Sequence, residues 1–213
     1  GFEGWGHVRT WTRGARRRSA AGIFACDVLF VPVHHKSQHW SLAVVCRPWA
    51  AAERAAATLA LLPGSKRADG AVVAFLNSLG RDVETEAYVL HFLRGYLAQE
   101  WADCLGRDAG SYRSELLTGV SVDVPAQQND SDCGVFVLGF VLQLLQRPGL
   151  LAELGRRPLP LEVDSAPRQR WRRAGAALRA QGCSNAGAAA AGDWLRVLSE
   201  GLGSAPAVER AGG

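Results

Sequence analysis

Cys133 lies where a polar segment meets an apolar run, in the stretch QQNDSDCGVFVLGF at residues 127–140. At a helix start, free backbone N–H groups and the positive end of the helix dipole stabilise a thiolate. Ser131 and Asp132, which precede Cys133, are residue types that commonly cap helices. The pattern is compatible with a nucleophilic thiol at the start of a helix, but taken alone it is more often that of a structural cysteine.

A nucleophilic thiol needs a base within hydrogen-bond reach, and histidine is the usual choice. His39 stands beside Trp40 at the start of an apolar run, where the indole could shield the imidazole from water. His34 and His35 fall in a polar segment and could be metal ligands, but adjacent histidines in a loop are more often solvated. His39 is therefore the candidate base.

The elements that must position these residues follow from the apolar runs. Residues 27–33 and 40–46 predict two strands joined by the loop HHKSQH, most simply as a hairpin, and residues 71–76 predict another buried strand. Helical spacing or propensity predicts helices at 50–62, 84–101 and 134–145. The last of these is apolar nearly all round, which predicts a buried helix, with a strand as the alternative for its first half.

Composition limits the class of protein. The chain has 213 residues, of which 48 % are hydrophobic, so it can build a core of ordinary size. It has no apolar segment of the roughly 20 residues that a membrane span needs. The five cysteines are widely spaced and form no Cys-x-x-Cys pair, which argues against a disulfide framework or a structural zinc site and favours a reducing compartment.

The net charge of +4 is modest, and much of the positive charge lies in the clusters RGARRR at 13–18 and RQRWRR at 168–173. Such clusters can bind nucleic acid, but a solvated basic face explains them more simply, so nucleic acid is an unlikely partner. Residues 182–192 and 201–213 are rich in Ala and Gly, which predicts a loosely ordered tail over 181–213.

Two segments resemble the signature blocks of the ubiquitin-like-protein proteases, the sentrin/SUMO-specific or Ulp-type cysteine peptidases. They are DVLFVPVHHKSQHWSLAVV at 27–45 and PAQQNDSDCGVFVL at 125–138. The resemblance extends over residues 2–180. VRTWTR, LAVVCRPW, LNSLG and FLRGYLAQEW further resemble the branch that trims poly-SUMO chains.

The resemblance implies an α+β fold of the papain-like, ubiquitin-like-protease type, with a central mixed sheet and a buried helix starting at the nucleophile. It implies a peptidase or isopeptidase that cleaves after the C-terminal Gly-Gly of SUMO or a related modifier and needs no metal or cofactor. Cys133 would be the nucleophile, His39 the base and Gln127 an oxyanion-hole donor. Trp40 would line a narrow substrate tunnel. We expect a monomeric, nuclear protein.

The chain departs from the family pattern at the third catalytic position, where Asn77 replaces the usual Asp. An amide oxygen can still orient the imidazole, as in Cys-His-Asn enzymes, but the negative charge that favours an imidazolium is lost. A catalytically weak or inactive homologue that still binds the modifier is therefore the alternative function. The family domain also begins upstream of Gly1, and the chain has no methionine, so we expect a catalytic domain over 1–180 that lacks its N-terminal part.

Overall fold

The computed structural model describes residues 8–35, 38–52, 70–106, 111–154 and 161. Within these residues the strands are β1 (Val28–His35), β2 (His39–Cys46), β3 (Val72–Leu76) and β4 (Thr118–Val122). The α-helices are α1 (Arg13–Arg18), α2 (Val83–Leu105) and α3 (Cys133–Gln146). Short 3₁₀ helices cover Gly22–Ala25, Pro48–Ala51, Ser114–Leu116 and Pro148–Glu153.

The four strands form one sheet in the order β1-β2-β3-β4. β1 pairs with β2 and β2 with β3 in antiparallel fashion, whereas β3 and β4 run parallel. The central strands β2 and β3 are nearly continuous apolar runs, as expected where both faces of a sheet are covered. Ala43, Val44, Val45, Val73 and Ala74 are all 0 % exposed. The predicted mixed sheet and α+β class are confirmed.

Helix α2 follows the predicted spacing, and its buried face includes Val89, Leu93, Leu97 and Trp101. Its first turn is capped by the Asp82 side chain, which accepts the N–H of Thr85 at 3.0 Å.

Gly119 lets α2 approach β4 closely. A Cβ on Gly119 would lie 2.9 Å from Leu90 Cδ2 and 3.2 Å from a ring carbon of Phe75. A side chain at position 119 would therefore require the Leu90 side chain to shift.

Helix α3 packs against β2. Phe136, Phe140 and Leu144 are buried, which confirms the predicted helix and rules out the alternative strand. Leu138 is 48 % exposed, so α3 is buried on one side rather than all round. No helix among the described residues is long and apolar enough to cross a bilayer.

Three predictions of local structure need correction or lie outside the described residues. His34 and His35 belong to β1 rather than to a loop, because the hairpin pairing runs to the His35–His39 pair. Strand β4 was not predicted, since TGVSV is short and three of its five residues are polar or glycine. In the predicted helix 50–62, residues 50–51 lie in a 3₁₀ helix, and 53–62 lie outside the described residues.

The chain divides into one unit at Gly1–Leu161 and another at Glu162–Gly213. Every described residue belongs to the first unit. The predicted domain end near residue 180, the second basic cluster and the tail at 181–213 lie outside the described residues and stay predictions.

The first basic cluster is only partly a solvated face. Arg13, Arg17 and Arg18 are exposed, but Arg16 forms a two-pronged ion pair with Glu100, which is 0 % exposed. The Arg16 Nε and Nη2 atoms lie 3.1 and 2.9 Å from the two carboxylate oxygens.

Other side chains complete this ion-pair network. Thr12 Oγ1 donates to Glu100 Oε1 at 2.7 Å, and Arg16 also pairs with Asp103. The hydrogen bond to Glu100 raises the pKa of Arg16 above its usual value. The network ties α1 to α2.

We expect Arg16→Ala to lower the free energy of unfolding by about 3 kcal/mol, because it leaves the buried Glu100 carboxylate without its cation. Arg17→Ala, on the same helix but exposed, should change it by less than about 0.5 kcal/mol. Urea denaturation followed by tryptophan fluorescence measures both. Equal effects of the two substitutions would contradict a structural role for the Arg16–Glu100 pair.

Candidate functional site

The geometry of His39 is fixed by a hydrogen bond to the residue that follows β3. His39 opens β2, Asn77 follows the last residue of β3, and antiparallel pairing brings both to the same edge of the sheet. His39 Nε2 lies 2.7 Å from Asn77 Oδ1. The backbone N–H of Leu79 donates to the same oxygen at 3.0 Å.

These two bonds fix the tautomer of the neutral imidazole. A backbone N–H can only donate, so the Asn77 atom that it meets must be the amide oxygen. That oxygen can only accept, so His39 Nε2 carries the proton. In the neutral ring, Nδ1 then holds the lone pair and is the atom able to accept a proton.

Gln127 is anchored to the residue next to Asn77. Its backbone N–H donates to the Ser78 carbonyl at 3.0 Å, and the Ser78 hydroxyl donates to Gln127 Oε1 at 2.6 Å. Gln127 Nε2 donates to the carbonyl of Asn129. Ser78 is 2 % exposed and Gln127 8 %, so this arrangement is buried.

A turn built on Asn129 leads the chain into α3. Asn129 Oδ1 accepts the backbone N–H groups of Ser131 and Asp132 at 3.0 and 2.9 Å, and its Nδ2 donates to an Asp132 carboxylate oxygen at 2.8 Å. Asp132 occupies the predicted N-cap position of α3, but its side chain makes no capping hydrogen bond. The predicted helix start is confirmed, and the Asp132 side chain does not cap it.

Cys133 is the first residue of α3 and is 5 % exposed. The first backbone N–H groups of a helix have no partner within it, so they surround Cys133 with hydrogen-bond donors and positive partial charge. Helix α3 packs on β2, the strand that begins with His39. Among the described residues, His39 hydrogen-bonds to Asn77 and not to Cys133, so the pairing of thiol and imidazole stays a prediction.

These contacts connect the predicted site residues. Asn77 binds His39, the adjacent Ser78 binds Gln127, and Gln127 binds Asn129. Asn129 in turn holds Asp132, the neighbour of Cys133. Four of the predicted site residues, Cys133, His39, Asn77 and Gln127, are thus linked by one network of hydrogen bonds and chain neighbours.

Trp40 is the second residue of β2 and is 39 % exposed. His34 pairs with it across the two strands, and their rings stack at 4.2 Å with an interplanar angle of 15°. The imidazole of His34 therefore restrains the indole that was predicted to line the substrate tunnel.

His35 was predicted to lie in a solvated loop, but it is a neighbour of the site. Its ring centroid lies 5.5 Å from that of His39, and its Nε2 is hydrogen-bonded to Ser41 Oγ. Burial, together with the charge of His39, lowers the pKa of His35. His35 is the last residue of β1 and pairs with His39, so extending the predicted strand 27–33 by two residues would have indicated this placement.

A cleft of about 480 Å³ opens beside these rings and is lined by His35, His39, Asn77 and residues 79–84.

Among residues 8–35, 38–52, 70–106, 111–154 and 161, no group of three His, Cys, Asp or Glu side chains could hold a metal ion.

Other cysteines of the described chain have different surroundings. Burial raises the pKa of Cys46 to about 11, and burial and Glu100 raise that of Cys104 to about 11, so both thiols are protonated at neutral pH. Cys26 is exposed. Neither Cys46 nor Cys104 meets the requirement for a thiolate nucleophile.

Several known proteins are similar to this chain. "Probable ubiquitin-like-specific protease 2B" of Arabidopsis thaliana is 31 % identical over 136 residues, which cover 63 % of this chain and 13 % of that protein. A "Sentrin-specific protease" of Caenorhabditis elegans is 32 % identical over 138 residues, which cover 65 % of this chain and 15 % of that protein. The chain thus spans only a small part of these relatives.

The fold has a counterpart among solved structures. The structure described as "Crystal structure of the de-sumoylating protease" superposes with a TM-score of 0.50 at 15 % identity, over 71 % of this chain and 48 % of that one. At this identity the likeness concerns the fold.

Residues 3–149 match the model of the Ulp1 protease family, C-terminal catalytic domain. The matched region includes the hairpin with His39, the Asn77–Ser78 segment and the start of α3 at Cys133. Because this match covers more than half of the chain, the protein belongs to the Ulp1 protease family.

Proposed function

We propose that the protein is a cysteine peptidase and isopeptidase that cleaves after the C-terminal Gly-Gly of SUMO or a related ubiquitin-like modifier. The observation that carries the proposal is the 2.7 Å hydrogen bond between His39 Nε2 and Asn77 Oδ1, which leaves Nδ1 as the proton acceptor. Family membership and the helix-start position of Cys133 support the same chemistry.

In the first half of the reaction, Cys133 Sγ attacks the carbonyl carbon of the terminal glycine while His39 Nδ1 accepts the thiol proton. The C–N bond then breaks, and His39 protonates the departing amine, which is a lysine side chain or a peptide amino terminus. A thioester joins the modifier to Cys133. Water, deprotonated by His39, attacks the thioester, releases the modifier carboxylate and restores the thiol.

The negative oxygen of the tetrahedral intermediate needs hydrogen-bond donors. We assign this role to the backbone N–H of Cys133 and to the side-chain amide of Gln127. An amide nitrogen carries two N–H groups, and the bond to Asn129 uses only one of them. Each such donor is worth roughly 3 kcal/mol of transition-state stabilisation.

Specificity for Gly-Gly would come from a narrow approach to the nucleophile. Cys133 is 5 % exposed, so a slim segment without side chains reaches it most easily. Trp40, stacked on His34, would form one wall of that approach.

Poly-SUMO chains are the substrate suggested by the branch that the sequence resembles. We further propose that the protein acts as a nuclear monomer on SUMO conjugates.

The proposal predicts covalent capture of the chain by a modifier whose C-terminal glycine is replaced by a vinyl sulfone. Cys133→Ala should abolish capture, whereas Cys26→Ala should leave it unchanged, because Cys26 is an exposed thiol outside the site. Gel-shift analysis across a panel of ubiquitin-like modifiers identifies the preferred one. Tight binding without capture would instead favour a modifier-binding homologue that does not cleave.

Asn77→Asp should raise kcat/KM, by up to about tenfold, because a carboxylate keeps the orienting hydrogen bonds and adds a negative charge. That charge would favour the imidazolium form of His39, and the imidazolium would in turn favour the thiolate form of Cys133. Both limbs of the bell-shaped pH–rate profile should therefore move outward. Asn77→Ala, which removes the orienting oxygen, should lower kcat/KM. An unchanged profile in Asn77→Asp would contradict this account.

Trp40→Ala should lower kcat/KM for modifier cleavage by about tenfold or more, because the Gly-Gly segment loses the wall that aligns it with the nucleophile. Trp11→Ala is the matched control, since Trp11 is 79 % exposed and lies before α1. Steady-state cleavage of a modifier bearing a C-terminal fluorophore measures both. Equal rates in the two variants would remove Trp40 from the substrate path.

A further inference from the structure

The Ser78 hydroxyl is buried beside the proposed oxyanion donor and has no role in the mechanism above. We propose that Ser78 is a positioning residue: its hydroxyl holds the Gln127 amide in the orientation that presents an N–H group to the oxyanion. This inference rests on the proposed function, because it assigns Ser78 to the machinery of that reaction. The contact between Ser78 and Gln127 lies inside the protein and can also be observed without substrate.

The orientation of the Gln127 amide follows from its two partners. The Asn129 carbonyl can only accept, so the Gln127 atom that faces it must be the NH₂ group. The other end, Oε1, therefore faces Ser78, and the Ser78 hydroxyl must be the donor at 2.6 Å. A flipped amide would direct Oε1 at the Asn129 carbonyl, where two acceptors would oppose each other.

Ser78 holds the oxygen end of the Gln127 amide, which Asn129 does not contact. Asn129 selects which end of the amide points toward it, but a single hydrogen bond leaves the amide plane free to rotate. The hydroxyl of Ser78 fixes the second end and satisfies an acceptor on a residue that is only 8 % exposed. Without that donor the buried Oε1 would be driven to turn toward water, because an unsatisfied buried acceptor is costly.

The role of the Ser78 hydroxyl can be separated from the role of the Ser78 backbone carbonyl. The Gln127 N–H also bonds to the Ser78 carbonyl at 3.0 Å, and Ser78→Ala retains that carbonyl. The preceding residue, Asn77, orients His39 through its own side chain. Ser78→Ala thus removes the hold on the oxyanion donor while leaving the backbone register and the partner of the base in place.

The test is a double-mutant cycle on the full chain with Ser78→Ala, Gln127→Ala and the combined variant. Hydrolysis is followed with a modifier carrying a C-terminal fluorogenic amide, and thiol reactivity with the vinyl sulfone form of the same modifier. Ser78→Ala should lower kcat by about tenfold and leave KM within about twofold, because the oxyanion exists only after attack. In the Gln127→Ala background it should cause no further loss.

The vinyl sulfone separates positioning from damage to the fold. Addition of the thiolate to its alkene places the developing charge next to the sulfone rather than on a carbonyl oxygen. Ser78→Ala should therefore be captured at nearly the wild-type rate. Parallel losses of capture and hydrolysis, or an equal loss with and without Gln127, would overturn the proposal in favour of a structural role for Ser78.

A readout without substrate keeps the proposal testable if the wild-type chain neither hydrolyses nor captures the modifier, which would refute the proposed function. The Gln127 side-chain amide is assigned in a ¹⁵N–¹H NMR spectrum by its loss in Gln127→Ala. Its hydrogen exchange should be slow in the wild-type chain and at least tenfold faster in Ser78→Ala. Ser78→Cys, which is nearly isosteric and a weak donor, should lie between them. Unchanged exchange in Ser78→Ala would show that Ser78 does not hold the amide.

Discussion

The hydrogen bond from His39 Nε2 to Asn77 Oδ1 is the interaction on which the proposed chemistry depends. It selects the tautomer whose free lone pair is on Nδ1, and without that selection the ring could not act as a base toward the thiol. The bond exists because β2 and β3 pair in an antiparallel register that places the two residues at the same end of these strands. The register in turn depends on the buried apolar runs of the two strands, since a slip of one residue would turn His39 to the other face.

An amide at position 77 separates two effects that an aspartate would combine. The orientation of the imidazole needs only an acceptor, which Asn77 provides while it also accepts the N–H of Leu79. Stabilisation of an imidazolium needs negative charge, which Asn77 lacks. The contact with Asn77 therefore orients the imidazole without supplying the negative charge that would favour an imidazolium.

The sequence predicted most of the elements but few of the contacts between them. Apolar runs located β1, β2, β3 and α3, because buried strands and helices need such runs whatever their neighbours. The extent of the hairpin was missed, since polar histidines at its tip are compatible with a loop and only the cross-strand pairing places them in β1. The polar, glycine-containing β4 carries too little apolar signal to be recognised alone. The identities of Asn77 and Gln127 as site residues came from the family resemblance, because contacts across 38 and 49 residues leave no local pattern.

The two sides of the proposed dyad are held by different forces. Cys133 is fixed by the hydrophobic core, because α3 packs on β2 and carries side chains such as Phe140 and Leu144 that are 0 % exposed. His39 and the Gln127 amide are fixed by short polar contacts to the consecutive residues Asn77 and Ser78. The loss of a core anchor would reduce stability and activity together, whereas the loss of a polar contact changes the direction of one catalytic group and leaves the core packed. In the proposed mechanism, the control of turnover is therefore concentrated in the two residues that follow β3.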